Sequence, residues 1–203
     1  KPKGVATIAA EHGSVITIGI ADGKKLKDFG ASAARASAND SALVVDVRGF
    51  SEAEIRDVAL GLLLGAKTPT QYKKSNDLPG ELSLLTDARV SVDLSDLEVV
   101  ADDVMMVRRL INTPANDLWP ERLAKTVEEH FRSTSVEVEI WDEKKLEEEK
   151  CGGILAVGKG SKRPPRLVVM RYRGGGKHLG LVGKGITFDT GGLSLKPADG
   201  MVG

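Results

Sequence analysis

The sequence has little cysteine, few aromatic residues and no excess of either charge. Cys151 is the single cysteine among 203 residues, so no disulfide can form within the chain, which is typical of a reducing compartment. Twenty-nine basic residues balance twenty-nine acidic ones, and aromatic residues make up only 4%. These values argue against a surface that binds nucleic acid through its overall charge or through base stacking.

Long apolar runs are also missing. No stretch approaches the roughly 20 apolar residues that a membrane helix needs. The first residues, Lys1-Pro2-Lys3-Gly4, lead into a strand-like segment without the apolar core of a signal peptide. Together with the single cysteine, these features predict a cytoplasmic protein without a membrane partner. Because the initiator methionine is missing, we expect that the natural chain begins elsewhere.

The remaining composition is that of a globular α/β protein. Hydrophobic residues make up 41% and charged residues 29%, and segments with strand and helix patterns alternate along the chain. A hairpin is predicted at residues 5–10 and 14–20, with His12 as a solvated turn residue. The remaining predicted strands are 42–47, 82–86, 136–140, 154–157, 167–172 and 179–182, and the predicted helices are 30–38, 51–66, 95–111, 120–131 and 142–150.

Two capping boxes mark the starts of long helices, one formed by Ser51 and Glu54 and the other by Ser95 and Glu98. The second helix carries apolar residues at steps of three and four, which predicts one continuous buried stripe. This stripe comprises Leu97, Val100, Val104, Val107 and Ile111. We predict that residues 95–113 connect an N-terminal α/β domain, 1–94, to a second domain, 114–203.

Charged residues among glycines concentrate in residues 181–196, directly after the predicted strand 179–182. Charges at the end of a buried strand are costly unless something pairs with them, which favours a site. A nucleotide loop fits poorly, since Phe188 occupies the third glycine position of the dinucleotide pattern. Two further interpretations stay open: glycine bends with solvated lysines, or a metal site. In a metal site Asp189 could bridge two cations, Lys184 could ligate when deprotonated, and Lys196 could act as an electrophile.

Residues 182–197, with the sequence VGKGITFDTGGLSLKP, resemble the metal-site strand and loop of the cytosol, or leucyl, aminopeptidase family. Two weaker matches precede it in the expected order. Residues 109–117, RLINTPAND, are similar to the family's domain-junction motif, and residues 151–161, CGGILAVGKGS, are similar to the start of a strand in its catalytic domain. The resemblance implies a mixed-sheet α/β metallopeptidase catalytic domain after the connecting helix.

The resemblance also implies an activity and a site. The family removes N-terminal residues, often leucine, from peptides, uses two divalent ions of zinc, manganese or magnesium, and assembles as a hexamer. Lys184 matches the lysine that ligates one metal, and Asp189 matches the carboxylate that bridges both. Lys196 matches the catalytic lysine that stabilises the tetrahedral intermediate. Thr190 stands where many members have serine, which keeps a hydroxyl.

In the family, the other metal carboxylates and an arginine that holds a bicarbonate lie after this motif. We therefore expect residues 1–203 to carry only part of the site, to lack peptidase activity alone and to bind metal weakly. The alternatives are a non-catalytic metal-binding protein or a DNA-binding regulatory protein of the same family. Lys24, Lys25 and Lys27 form a small basic cluster that bears on the last of these.

Overall fold

The computed structural model of the chain describes residues 5–9, 15–19, 25–38, 40–67, 72 and 80–201, the first two segments by their backbone alone. The chain divides into two compact units, Lys1–Asn112 and Thr113–Gly203. Helices alternate with strands in both, and the strands form small parallel and antiparallel sheets. The predicted mixed α/β class is therefore confirmed.

The first unit begins with the predicted hairpin. Strand β1, Val5–Ala9, runs antiparallel to β2, Val15–Gly19, with Ala9 opposite Val15. The predicted turn with His12 lies outside the described residues, as does Lys24 of the basic cluster.

A βαβ arrangement follows the hairpin. Helix α1, Leu26–Ala36, precedes strand β3, Ala42–Asp46, and helix α2, Glu52–Ala66, connects β3 to strand β4, Glu81–Leu85. β3 and β4 are parallel, as a helical crossover requires. The predicted capping box of α2 is confirmed, because the Glu54 carboxylate accepts the Ser51 N–H at 2.8 Å and the Ser51 hydroxyl accepts the Glu54 N–H.

The core of the first unit lies between this parallel pair and helices α1 and α2. Alternate residues of β3 face inward, and one apolar face of α2 is buried, with Leu63 half-buried at its margin. The buried cluster comprises Leu26, Ala33, Ala34, Leu43, Val45, Val47, Ile55, Val58, Leu62 and Ala66.

Helix α3, Ser95–Asn112, packs on α2 through a narrower line than the predicted stripe. Its buried residues are Leu97, Ala101 and Met105, one helical turn apart. Val100, Val107 and Ile111 are 40%, 48% and 73% exposed, so their assignment to a buried stripe was wrong. The buried line of α3 thus includes the small side chain of Ala101 rather than the bulkier valines.

At the start of α3, Asp93 supplies the capping oxygen that the predicted capping box assigned to Ser95. Asp93 accepts the Ser95 N–H at 2.9 Å, so an aspartate before the helix satisfies its first donor. Arg56 of α2 pairs with Asp96 at 2.6 Å, and Lys67, directly after α2, pairs with Asp102. These two ion pairs hold the first half of α3 against α2.

The second unit contains the remaining elements. These are α4, Pro120–Phe131; β5, Val136–Trp141; α5, Glu143–Glu148; α6, Gly152–Gly158; β6, Leu167–Tyr172; and a 3-10 turn at Ala198–Met201. Pro120 occupies the first turn of α4, as predicted, where its missing N–H costs nothing. β5 and β6 are antiparallel, with Val136 opposite Tyr172.

Arginine side chains attach β6 and the loop before it to the rest of the second unit. The Arg163 guanidinium lies 4.0 Å above the centre of the Trp119 ring, and Arg166 pairs with Glu143 at 2.8 Å. Arg171 pairs across the strands with Glu139 at 2.7 Å. Arg163 and Arg166 thus hold the amino end of β6, and Arg171 holds its carboxyl end, from which the predicted site stretch departs.

Residues 154–157 were wrongly predicted as a strand, since they belong to helix α6. The same correction applies to the expected strand start within residues 151–161. Lys150, with φ of 57°, ends α5, and the Cys151 carbonyl then accepts the N–H groups of Ile154 and Leu155, which begins a new helix. A short apolar run fits a strand or a helix equally well, and here the preceding turn decides.

Residues 179–182 were also wrongly predicted as a buried strand. In the described part of the chain no strand pairs with them, and Leu179, Leu181 and Val182 are 83%, 87% and 101% exposed. An extended segment needs a hydrogen-bonding neighbour to become part of a sheet. None of the helices that the structure describes is long and apolar enough to cross a membrane.

Candidate functional site

The predicted site residues lie in the stretch between β6 and the 3-10 turn at Ala198–Met201. This stretch has neither helix nor strand, so local turns and hydrogen bonds position its side chains. Gly175 and Gly176, with φ of 87° and 81°, turn the chain shortly after β6. Positive φ values favour glycine, which explains why glycines occupy positions 175 and 176 of this turn.

Asp189 is the centre of the arrangement. One carboxylate oxygen, Oδ1, accepts the backbone N–H of Gly191 at 2.9 Å, and the other, Oδ2, lies 3.1 Å from the Lys196 ammonium nitrogen. The Asp189 and Lys196 side chains are 42% and 40% exposed. The pair is therefore formed at the surface, with each carboxylate oxygen in contact with a donor.

A backbone closure brings Lys196 back to Asp189. The Lys196 N–H donates to the Thr190 carbonyl at 2.9 Å, which closes a short loop over residues 190–196. Gly191 has φ of 104°, and a Cβ at this position would lie 2.2 Å from the Ser194 carbonyl oxygen. Only glycine fits this close approach without a shift of the backbone.

The surroundings of Asp189 favour its ionised form. The Gly191 N–H lowers the pKa of the carboxyl most, followed by the hydrogen bond and charge of Lys196, and the charge of Lys184 lowers it further. Partial burial opposes these effects but does not outweigh them. Asp189 is consequently a carboxylate at neutral pH, able to attract cations.

The structure therefore brings the three predicted residues together to different degrees. Asp189 and Lys196 are in direct contact, whereas Lys184 is exposed and near enough for its charge to act on Asp189. The roles as metal ligands or catalyst stay predictions. The Gly191 amide and the Thr190 carbonyl were missed as functional groups, although an aspartate two residues before a glycine is a signal for such a turn.

Asp189 and Lys184 fit one part of a metal site. A carboxylate is a suitable ligand for divalent cations, and a lysine amine becomes one when it is deprotonated. In the described ranges, no group of three or more His, Cys, Asp or Glu residues could hold a metal ion. These two residues thus supply fewer donors than a divalent ion requires.

Two clefts of the described structure lie away from this stretch. One, of about 360 Å³, is lined by Glu128, Phe131, Arg132, Val136 and Val138. A second, of about 430 Å³ in the first unit, has mainly leucines in its walls. Neither cleft is lined by Lys184, Asp189 or Lys196.

Comparisons with known proteins identify the family. Residues 105–203 match the sequence model of the cytosol aminopeptidase family, catalytic domain. A probable cytosol aminopeptidase from Tropheryma whipplei is 38% identical over 185 residues, which cover 86% of this chain and 37% of that relative.

Solved structures agree with this match. The bottromycin maturation enzyme BotP in complex with Mn is 28% identical with a TM-score of 0.83, and the match covers 100% of this chain and 47% of that one. Tomato leucine aminopeptidase shares the fold at 23% identity with a TM-score of 0.74, over 94% of this chain and 43% of that one. The chain spans less than half the length of each of these proteins. It belongs to the cytosol aminopeptidase family.

Proposed function

We propose that this chain provides part of the active site of a leucyl-type metalloaminopeptidase, which removes N-terminal residues from peptides with two divalent metal ions. The observation that carries the proposal is the contact between an ionised carboxylate, Asp189, and the Lys196 ammonium in a stretch that matches the family. The proposed organisation is an N-terminal α/β domain, 1–94, a connecting helix, 95–113, and the first part of the catalytic domain, 114–203.

Three side chains have distinct roles in this proposal. Asp189 and Lys184 hold metal, Asp189 through a carboxylate that the Gly191 N–H orients and keeps ionised. When bound, divalent cations polarise the scissile carbonyl and activate water. Lys196 donates a hydrogen bond to the oxyanion that develops on the substrate carbonyl.

The further components of the proposal follow the family. Manganese is named in the solved structure that is 28% identical, and zinc or magnesium would suit the same carboxylate. A bicarbonate held by an arginine would complete the full-length site. We propose a hexamer that acts on peptides in the cytoplasm.

The first test is Lys196→Ala in the full-length protein. We expect the rate constant for hydrolysis of leucine p-nitroanilide to fall by roughly 100- to 1,000-fold, because one group that stabilises the oxyanion is lost. The metal content, measured by elemental analysis, should stay close to that of the wild type. Near-normal turnover would contradict the catalytic role of Lys196.

Asp189→Ala provides the matched comparison. Since this substitution removes the carboxylate that bridges the metals, we expect the purified variant to lose both metal and activity. Retention of two metal ions per subunit in elemental analysis would rule out the bridging role. A loss of activity in both variants, with metal retained in Lys196→Ala and lost in Asp189→Ala, separates the two roles.

The DNA-binding alternative gains no support from the basic cluster. Lys27 pairs with Asp57 at 3.3 Å, which offsets one of its positive charges. A gel-shift titration at several salt concentrations tests this alternative, because phosphate contacts give a steep salt dependence.

A further inference from the structure

The ion pair between Lys196 and Asp189 places a positive charge where a metal ligand is proposed. Lys196 Nζ lies 3.1 Å from Oδ2, while the Gly191 N–H occupies one position on Oδ1. A carboxylate has about four lone-pair positions, so one donor on each oxygen leaves room for further partners. The Lys196 charge, however, repels any cation that approaches Oδ2.

We propose that Lys196 sets the metal affinity of this site by competing with a divalent cation for Asp189 Oδ2. This inference rests on the proposed function, in which Asp189 is a metal ligand. It gives Lys196 a second role besides its contact with the substrate oxyanion. The competition is local, because the same 190–196 loop that holds Asp189 through Gly191 also returns Lys196 to it.

The competition acts in both directions. If Lys196 weakens cation binding at Asp189, the bound cation weakens the pairing of Lys196 with Asp189 by the same factor. Cation binding therefore favours release of the ammonium group, which can then turn toward a substrate carbonyl. Cation binding at Asp189 and release of the Lys196 ammonium group are thus coupled through one carboxylate oxygen.

We expect Lys196 to change the cation affinity of Asp189 only modestly. Both side chains are about two-fifths exposed, and ion pairs at such positions typically contribute little, which corresponds to a change of about two- to fivefold in binding. Salt screens such charges, so the effect should shrink as ionic strength rises. A difference of this size is measurable by titration.

The experiment compares Mn²⁺ affinity in full-length proteins treated with a chelator. Free Mn²⁺ is measured by electron paramagnetic resonance during titration of the wild type, Lys196→Met and Lys196→Arg. Lys196→Gln serves as a second neutral variant if the methionine protein does not fold. Lys159→Met is the matched control, since Lys159 is also an exposed lysine of the second unit and is not among the groups that shift the pKa of Asp189.

We expect Lys196→Met to bind Mn²⁺ about two- to fivefold more tightly than the wild type at low salt, with a smaller difference at high salt. Lys196→Arg and Lys159→Met should remain near the wild type. Equal or weaker binding by the neutral variants, or the same gain in Lys159→Met, overturns the inference.

Asp189→Asn separates this inference from the proposed function. If Asp189→Asn weakens Mn²⁺ binding while the neutral Lys196 variants do not tighten it, only the competition is wrong. If Asp189→Asn leaves the affinity unchanged, Asp189 is not a ligand and the proposed function fails together with the inference.

Discussion

Asp189 shows how a few local contacts set the charge of one residue. Its pKa lies below the ordinary value because the Gly191 N–H and the Lys196 ammonium both stabilise the carboxylate. The stabilisation of the Asp189 carboxylate by these two donors is fully present above the ordinary pKa of an aspartate. It is lost as the pH falls through the lowered pKa of Asp189. Asp189 should therefore remain a carboxylate in mildly acidic solution.

The residue whose replacement should disturb this arrangement most is Gly191. Gly191→Ala places a Cβ against the Ser194 carbonyl at a positive φ, so the loop must shift and the hydrogen bond to Asp189 is lost. Loss of a hydrogen bond to a charged group should weaken Mn²⁺ binding of the full-length protein by about 10- to 100-fold. Titration with Mn²⁺ measures the change.

Gly180→Ala is the control for Gly191→Ala. Gly180 belongs to the same stretch, and a Cβ there meets nothing within 4 Å. Its Mn²⁺ affinity should stay near that of the wild type. An unchanged affinity in Gly191→Ala would show that the amide at this position does not orient Asp189.

For single residues, the sequence singles out the candidate site residues but does not predict their geometry. Lys184, Asp189 and Lys196 stand out because charges among glycines after a predicted strand need a reason. The approach of Ser194 to Gly191 could not be predicted, since a pair of glycines indicates a bend but not which carbonyl passes close to it. That contact depends on backbone angles several residues apart.

Among the elements, helices α1 and α2 owe their close packing to glycines. A Cβ on Gly61 would lie 2.2 Å from the Lys27 carbonyl oxygen, and one on Gly65 would lie 2.4 Å from the Ala31 carbonyl oxygen. The backbones of the two helices are therefore in direct contact. This explains why glycines persist in α2 although they weaken an isolated helix.

Gly61→Ala should therefore destabilise the first unit despite the better helix propensity of alanine. The gain in propensity is about 1 kcal/mol, whereas forcing apart two packed backbones typically costs 1–3 kcal/mol or more, about the same size or larger. We expect faster hydrogen exchange of the α1 and α2 amides, measured by mass spectrometry.

Gly153→Ala, in helix α6, is the control that measures the gain in helix propensity without a clash between helices. No atom lies within 4 Å of a Cβ at Gly153, so this variant should be as stable as the wild type or slightly more stable. Equal protection of α1 and α2 in Gly61→Ala and the wild type would mean that the helices separate without cost.

Elements marked by a signal of their own were predictable, whereas two bare apolar runs of four residues were not. Helix α2 could be located from its capping box, because this signal acts within the helix itself. Residues 154–157 and 179–182 are apolar runs of four, which fit a strand, a helix or an exposed segment. Their state depends on neighbours in space, which a single run does not encode.

On the scale of the whole molecule, the core and the candidate site belong to different units. The large apolar cluster lies in the first unit, whereas the site stretch of the second unit is exposed, with Leu193 at 110% and Val182 at 101%. The match to the family's catalytic domain covers residues 105–203, and the chain spans 37% of the Tropheryma whipplei relative. Folding of the first unit can therefore be tested separately from formation of the site.

This separation leads to a prediction for residues 1–203 as a purified protein. Among the described residues, Asp189 is the one carboxylate placed at the site, and two divalent cations need several. We therefore expect no turnover of leucine p-nitroanilide and only weak Mn²⁺ binding in equilibrium dialysis, with the full-length protein active in the same buffer. A cooperative thermal transition must show that residues 1–203 are folded, so that inactivity reflects missing ligands rather than unfolding. Turnover at the full-length rate would mean that these residues complete the site by themselves, and that the ligand set proposed for it is wrong.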